Sequence, residues 1–490
     1  MNLTEKVIKG SSTLLLLRVF IRVAGIISML TLARLLDTDD FGIVAIATSA
    51  VFLFDILSES GTSHYIIQKT NIDDDDLNTS WSLNILLKLV VWVIFIVCVP
   101  FISDYFEEPK LIMALYAISL ILPISAFYNP AMWLYQKELN FKPDFKLAVI
   151  DKTISFFTVI SLALIFRSYW AMIVGVVLPY ITKNILSYRL HPYRPSWSLN
   201  KLHEQWQFSK WVLFKGVLGY VRAEFDTFIV TKQFGMSAIG GYNMMKGLSA
   251  IPAQDIIVPA TQPLLSSFAK VKSDPKSLKY QISLSLLIIC LTIFPVATYV
   301  GLNHALITSV ILGDKWIEYS EILGVMSIFI FTFSFISIFH YALIAVNKVK
   351  VIFYYDFITV VLLITILSIS NLNDLLEFTI YRCALALISV FIFTIVVMKI
   401  FKLAALHIIK LILPIILVCA MSSYSSYYFD LLFTNSLFTL VLSCIFFFGN
   451  YLILISIFSL LYKNTEEVNH IKSLLHNGLN LAFKKMKKTT

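Results

Sequence analysis

Residues 11–34 read SSTLLLLRVFIRVAGIISMLTLAR, a run long enough to cross a bilayer as a helix, with Arg18 and Arg22 inside it. An arginine at the centre of a spanning helix costs about 2.5–3.5 kcal/mol on insertion scales. That cost is offset by a water-filled cavity or by a partner inside the helix bundle. A spacing of four residues puts both guanidinium groups on one helical face. A planar, permanently charged fork suits a phosphate or a carboxylate. The two arginines therefore point to a polar path through a membrane. A satisfied internal ion pair or snorkelling to the interface is the plainer reading of such a charge. It is weaker here, because like charges on one face do not neutralise each other.

The chain around this run has 490 residues, of which 58% are hydrophobic and only 14% charged, and its mean hydropathy is +0.81. A soluble protein cannot hide so much apolar surface behind so few charges. The expectation is an all-α, polytopic membrane protein of about fourteen transmembrane helices. They fall near 11–34, 42–67, 80–103, 110–133, 145–166, 169–190, 207–231, 237–265, 279–301, 317–345, 350–370, 376–399, 404–428 and 434–461. The first run has no small-residue cleavage site before its polar end, so it reads as a retained span rather than a signal peptide. All five cysteines lie in apolar segments with neither metal nor disulfide spacing.

A net charge of +9 in a soluble chain would suggest nucleic acid; here its placement in loops matters more, and no nucleic-acid partner is expected. Lysines and arginines gather in alternate connections: Lys137, Lys142 and Lys146; Arg189, Arg194 and Lys201; Lys270, Lys272, Lys276 and Lys279; Lys348 and Lys350; Lys399 and Lys402. The positive-inside rule makes that side, and both termini with it, cytoplasmic. The acidic run Asp73–Asp76 reads as a solvated loop entering a capped helix.

The two halves echo each other. Arg34 stands eight positions before Gly42, and Lys232 eight before Gly240, with a tight turn between them in each case. An even number of spans per half makes this a parallel repeat. The expected organisation is a six-helix lobe at 1–190, a cytoplasmic linker at 191–206, a second six-helix lobe at 207–400, two additional helices at 401–462 and a basic tail at 463–490. Charge repeats as well. The seventh span holds Lys215, Arg222, Glu224 and Asp226, the second Asp55 and Glu59, the eighth Lys246 and Asp255, and the fifth Asp151 beside Lys152. Prolines at 123, 130, 252, 259 and 263 bend or break helices four and eight, which suits cavity walls or hinges as well as plain bent packing.

No phosphate-binding Gly-x-x-x-x-Gly-Lys loop, zinc-protease motif or nucleophile elbow occurs, and the eight histidines are scattered. Neither an enzyme nor a cofactor- or metal-bearing protein is expected.

Several short stretches resemble Wzx-type oligosaccharide flippases, especially the WzxC-like branch, over about residues 5–400. They are Leu32–Leu36 followed by Asp39-Asp40-Phe41-Gly42, Leu134–Phe141, Asp226 with Phe228–Val230, Gly240-Gly241-Tyr242, Leu312–Trp316 and Ala345–Lys348. Lys137 and Lys232 stand where arginine is common. The resemblance implies the MOP exporter superfamily, with two six-helix lobes around a cavity. Its Wzx-type members move undecaprenyl-pyrophosphate-linked oligosaccharides across the bacterial inner membrane for O-antigen, capsule or exopolysaccharide synthesis. The expected partners are that lipid-linked oligosaccharide, membrane lipids, and a polysaccharide polymerase with chain-length machinery; the chain itself is expected to be a monomer. Arg18, Arg22, Lys215 and Arg222 are the candidates for pyrophosphate or acidic sugars, and Asp55, Glu59, Asp226 and Asp255 for ion coupling. A cation-coupled multidrug exporter of the same superfamily would have an acidic rather than basic cavity. A membrane glycosyltransferase or polymerase would have a long outer loop with essential acids. A lipid II flippase would differ in substrate only.

Overall fold

The computed structural model describes residues 20–461 apart from 60, 139, 258–260, 262, 370–371 and 431–436, together with 466–469 and 473. Among the described residues there are helices and connections but no strand. The first helices are α1 (20–35), α2 (Thr38–Leu57), α3 (Thr62–Gln68), α4 (Asp74–Phe106), α5 (Lys110–Ser119), α6 (Ile121–Ala126) and α7 (Met132–Lys137). They continue with α8 (Lys142–Phe166), α9 (Trp170–Leu190), α10 (Leu202–Pro252), α11 (Leu264–Val271), α12 (Pro275–Leu302) and α13 (His304–Ile311). The last are α14 (Ser320–Met326), α15 (Ile328–Ala345), α16 (Val349–Ile369), α17 (Leu375–Phe401), α18 (Ala405–Asp430) and α19 (Leu437–Leu461).

Ten stretches among the described residues are long and apolar enough to cross a membrane, against the fourteen expected. The expected fourth span is shorter, an apolar stretch Lys110–Ala126. The seventh and eighth are joined in α10, whose backbone breaks at Gly235 (φ +86°, ψ −175°). That combination is open to glycine and strained for other residues, so the break has a local cause. Many spans are apolar on every side: Phe391, Phe438 and Ile445 are 68%, 67% and 64% exposed. Helices apolar all round need an apolar surrounding.

The chain divides into two compact units, Met1–Met244 with Ile364–Ser370, and Met245–Leu363 with Asn371–Thr490. The second unit is packed by α12, α15, α17 and α18, with Ile282, Leu286, Phe339, Phe393 and Val418 buried at its centre. Phe393 stacks on Tyr355 at 4.0 Å and meets Phe339 edge-on at 5.8 Å. Tyr299 shares a 2.6 Å hydrogen bond with Ser443, which joins α12 to α19. Cys290, Cys383 and Cys419 are buried thiols in this unit.

In the first unit, the acidic run caps α4. Asp73 Oδ1 accepts from the Asp76 amide at 2.9 Å and Asp76 Oδ2 from the Asp73 amide at 3.1 Å, a capping box. Asp76 does more than cap. It is fully buried and meets Lys69 at 2.7 Å and Lys201 at 3.3 Å, while Tyr65 donates to it at 2.9 Å. Gln205 donates to the Asp76 carbonyl at 2.9 Å and accepts from Ser80 at 3.1 Å. Ser196 and Ser198 donate backbone amides to Asn78 and Ser82 at 2.8 and 3.0 Å. The segment 191–206 is thus laid along the start of α4 rather than hanging free. Burial works to lower the Lys69 pKa, but the bonds to Asp76, Tyr65 and Glu204 raise it well above its usual value.

The two echo glycines meet. A Cβ on Gly42 would lie 2.0 Å from the Met236 carbonyl oxygen, and a Cβ on Gly240 would lie 2.0 Å from the Thr38 carbonyl oxygen. Each carbonyl stands four residues before the other glycine, so the contact is reciprocal. Thr38 and Ser237 seal it with a 2.6 Å hydroxyl pair. The spacing read from the sequence therefore has a physical reason: both helix starts cross where only hydrogen fits.

Candidate functional site

The expected charges fall into three groups. Arg18 lies outside the described residues. Lys215 sits in α10 and Asp255 in the π-helical turn Ala253–Ile257, but their side chains are outside what is described. The rest are in place. Arg22 on α1 and Arg222 on α10 are half-buried. Asp226 is 1% exposed and accepts the Tyr242 hydroxyl at 3.0 Å and the Thr227 amide at 3.0 Å. Glu224 accepts hydroxyls from Thr227 at 3.0 Å and Ser49 at 3.3 Å. The Tyr220 hydroxyl donates to the Ser49 carbonyl. One short stretch of α10 therefore carries a cation, two carboxylates and hydroxyl donors.

Asp55 has a partner that the sequence reading missed. Lys88, 6% exposed in the middle of α4, pairs with it. The signal was present: a lone lysine in one apolar span beside a lone aspartate in the preceding one. Asp151 is met by Thr182 at 2.5 Å and Lys183 at 4.0 Å, both on α9. Adjacent Lys152 was the expected partner, but neighbours one apart on a helix do not face each other.

Lys88 leads to a cavity. It holds about 530 Å3 and is enclosed by α4, α8, α9 and the segment joining α6 to α7. Glu59, the only expected site residue on its wall, is exposed there. Trp81, Asn84 and Lys88 project from one stripe of α4, and Tyr180, Lys183 and Asn184 from one stripe of α9. Lys88 is fourteen residues past the start of α4, about 21 Å at 1.5 Å per residue, so the cavity reaches deep into an apolar layer of about 30 Å.

The third wall is broken backbone. After α6 ends at Ala126, the Ile124 and Ser125 carbonyls keep 3.3 Å turn bonds from the Phe127 and Tyr128 amides, and Pro130 cannot donate. Side chains add to these bonds. Asn184 donates to Ile124 at 2.7 Å, Asn84 to Ala126 at 2.9 Å and to Ser125 at 3.4 Å, and the Tyr188 hydroxyl to Phe127 at 2.8 Å. Trp81 donates to that hydroxyl at 3.1 Å. Irregular backbone at membrane depth persists where it is buried in protein or lines a polar cavity, and this segment does both. Prolines 123 and 130, noted from the sequence, mark it.

At the far end of α4, Lys232 bonds Glu107 at 2.8 Å and the Tyr105 carbonyl at 2.8 Å. The Lys232 hydrogen bond holds the Glu107 carboxyl below its usual value.

Comparison with known proteins agrees with this architecture. The pattern of the family described as polysaccharide biosynthesis protein matches residues 31–321. Lipopolysaccharide biosynthesis protein WzxC of Escherichia coli strain K12 is 25% identical over 324 residues, 64% of this chain and 65% of that one. An uncharacterized membrane protein in the cps region of Klebsiella pneumoniae is 28% identical over 323 residues, 65% of this chain and 66% of that one. The chain thus spans just under two thirds of these relatives. Among solved structures, lipid II flippase MurJ in an inward closed conformation superposes with a TM-score of 0.76 at 16% identity, covering 90% of this chain and 98% of that one. The fold is that of this polytopic transporter class, and the chain is a multi-pass membrane protein.

Proposed function

The chain belongs to the polysaccharide biosynthesis protein family, and from that premise we propose that it is a transporter, not an enzyme, which moves a lipid-linked saccharide across the membrane. Stripping each sugar hydroxyl of water costs on the order of several kcal/mol in hydrocarbon, so unaided crossing is slow. A protein that offers polar groups at membrane depth lowers that barrier while the lipid tail stays among tails. The observation that carries the reading is the pair of cations Arg22 and Arg222, half-buried on α1 and α10 in a chain dominated by apolar spanning helices.

In the finer reading, the carrier is undecaprenyl pyrophosphate in a bacterial inner membrane, with both termini cytoplasmic. Arg18, Arg22, Lys215 and Arg222 take the pyrophosphate through charge-assisted bonds. Asp226 and Asp255, with Asp55 and Glu59, take up protons or cations, and each charge moved down the membrane potential yields about 2.3 kcal/mol per 100 mV. Access alternates between the two sides. A polysaccharide polymerase then receives the product. The test replaces Arg18 and Arg22 together by alanine in a strain lacking its own transporter. Surface polymer is expected to disappear at equal protein level; undiminished display would sink the role given to these arginines.

A further inference from the structure

We infer that the cavity of the first unit is a sugar-recognition subsite that binds an uncharged or amino-bearing pyranose ring beyond the first, phosphate-linked sugar and excludes phosphate. The inference rests on the proposed saccharide transport and adds where the glycan, as opposed to its phosphate, is read.

Charge decides against phosphate first. Both lysines on the wall already have acids: Lys88 holds Asp55 and Lys183 faces Asp151. The remaining charged groups, Glu59 and Asp144, are both acids. A site without spare positive charge repels an anion. Those acids accept hydrogen bonds from hydroxyl or ammonium groups instead.

Asp144 supplies the second observation. Its Oδ2 is buried with no hydrogen-bond partner among the described residues. A buried acceptor left without a donor is costly, so the site suits a ligand that brings a donor. Asp144 opens α8 on the cavity side, four residues before Ala148 on the same wall.

Shape supplies the third. Trp133 and Tyr128 stand with ring centroids 5.9 Å apart and planes tilted by 53°, and both line the cavity, as do Trp81 and Tyr180. Sugar rings present flat C–H faces and a rim of hydroxyls. Aromatic faces with a few placed polar groups match both, within a volume typical of small-ligand sites. A lipid chain would leave the acids and amides unmatched. An inorganic cation would not need the four rings.

The experiment expresses the wild type, Asp144→Ala and Trp133→Ala at equal membrane level in a host lacking its own transporter. One version of the host makes lipid-linked units of full length, and another stops after the first sugar. The readout is the lipid-linked saccharide that reaches the outer leaflet, with thermal midpoints of the purified proteins as a folding control. Both variants are expected to move full-length units roughly tenfold less than wild type and one-sugar units equally well, the loss of a charged hydrogen bond or a stacking face. Equal loss on both substrates, or no loss on either, overturns the subsite while transport stands. A wild type that moves neither refutes the transport reading, and the subsite with it.

Discussion

The reciprocal glycine contact makes a sharp prediction. Alanine at Gly42 places a Cβ 2.0 Å from a carbonyl oxygen, where ordinary contact begins near 3.4 Å. The start of α2 and the second arm of α10 must part by more than about 1 Å to admit it. Overpacking of this kind costs typically 1–3 kcal/mol. Parting also stretches the 2.6 Å Thr38–Ser237 bond, worth about 1 kcal/mol. Each single variant, Gly42→Ala or Gly240→Ala, should therefore lose about 2–4 kcal/mol. The double variant should lose no more than the worse single one, because one separation admits both methyl groups. That is a coupling of about 2 kcal/mol or more, outside the few tenths seen for independent sites. The assay is denaturant unfolding of the purified protein in detergent across the four-member cycle. Strictly additive losses would refute the claim of a single shared crossing, and so would singles that lose nothing.

Three other perturbations follow from the same structure. Asp76→Ala takes the shared acid from Lys69 and Lys201, leaving Lys69 with Glu204 and Lys201 with Asp73; it should cost about 1–3 kcal/mol and hasten proteolysis in 191–206, and an unchanged cleavage rate would contradict the docking of that segment on α4. Lys88→Met should destabilise by a similar amount, about 3–5 kcal/mol, while adding Asp55→Leu should restore much of it, as measured by thermal midpoint; a double variant as weak as the single one would show that the pair does not matter as a pair. The Glu107–Lys232 bond depends on acid: the Glu107 pKa is lowered on folding, so its contribution is present above the usual 4.5 and is lost as pH falls through the lowered value. The stability gap between wild type and Glu107→Gln should close at low pH and shrink in salt; a gap that widens on acidification would reverse the sign.

Much of the fold was legible because apolar runs of spanning length leave little choice. The echo of Arg34–Gly42 in Lys232–Gly240 was legible as a spacing, and the structure supplies its cause in two carbonyls that exclude a side chain. The acidic run announced a helix cap, yet nothing in it foretold that Asp76 would be buried under Lys69 and Lys201, one just before α4 and the other far along the chain. Helix ends limited the site. Asp55 and Glu59 were noted as a pair on one helix, but α2 ends at Leu57, so Asp55 turns to Lys88 on α4 and Glu59 lies past the helix end at the cavity. The cavity was hidden for a related reason. Trp81, Trp133, Asp144 and Asn184 are unremarkable singly, and only the broken backbone at 127–131 brings them to one space.

The central claim is transport of a lipid-linked saccharide, and leaflet sidedness in proteoliposomes tests it directly. Purified protein is reconstituted with polyprenyl-pyrophosphate-linked oligosaccharide, and the fraction open to an impermeant glycosidase is followed in time. The account predicts that this fraction rises past the half expected of a static bilayer, and that the rise fails in the Arg22→Ala, Arg222→Ala protein. A fraction that stays at half in the presence of folded wild type, with an imposed ion gradient and without one, would contradict it.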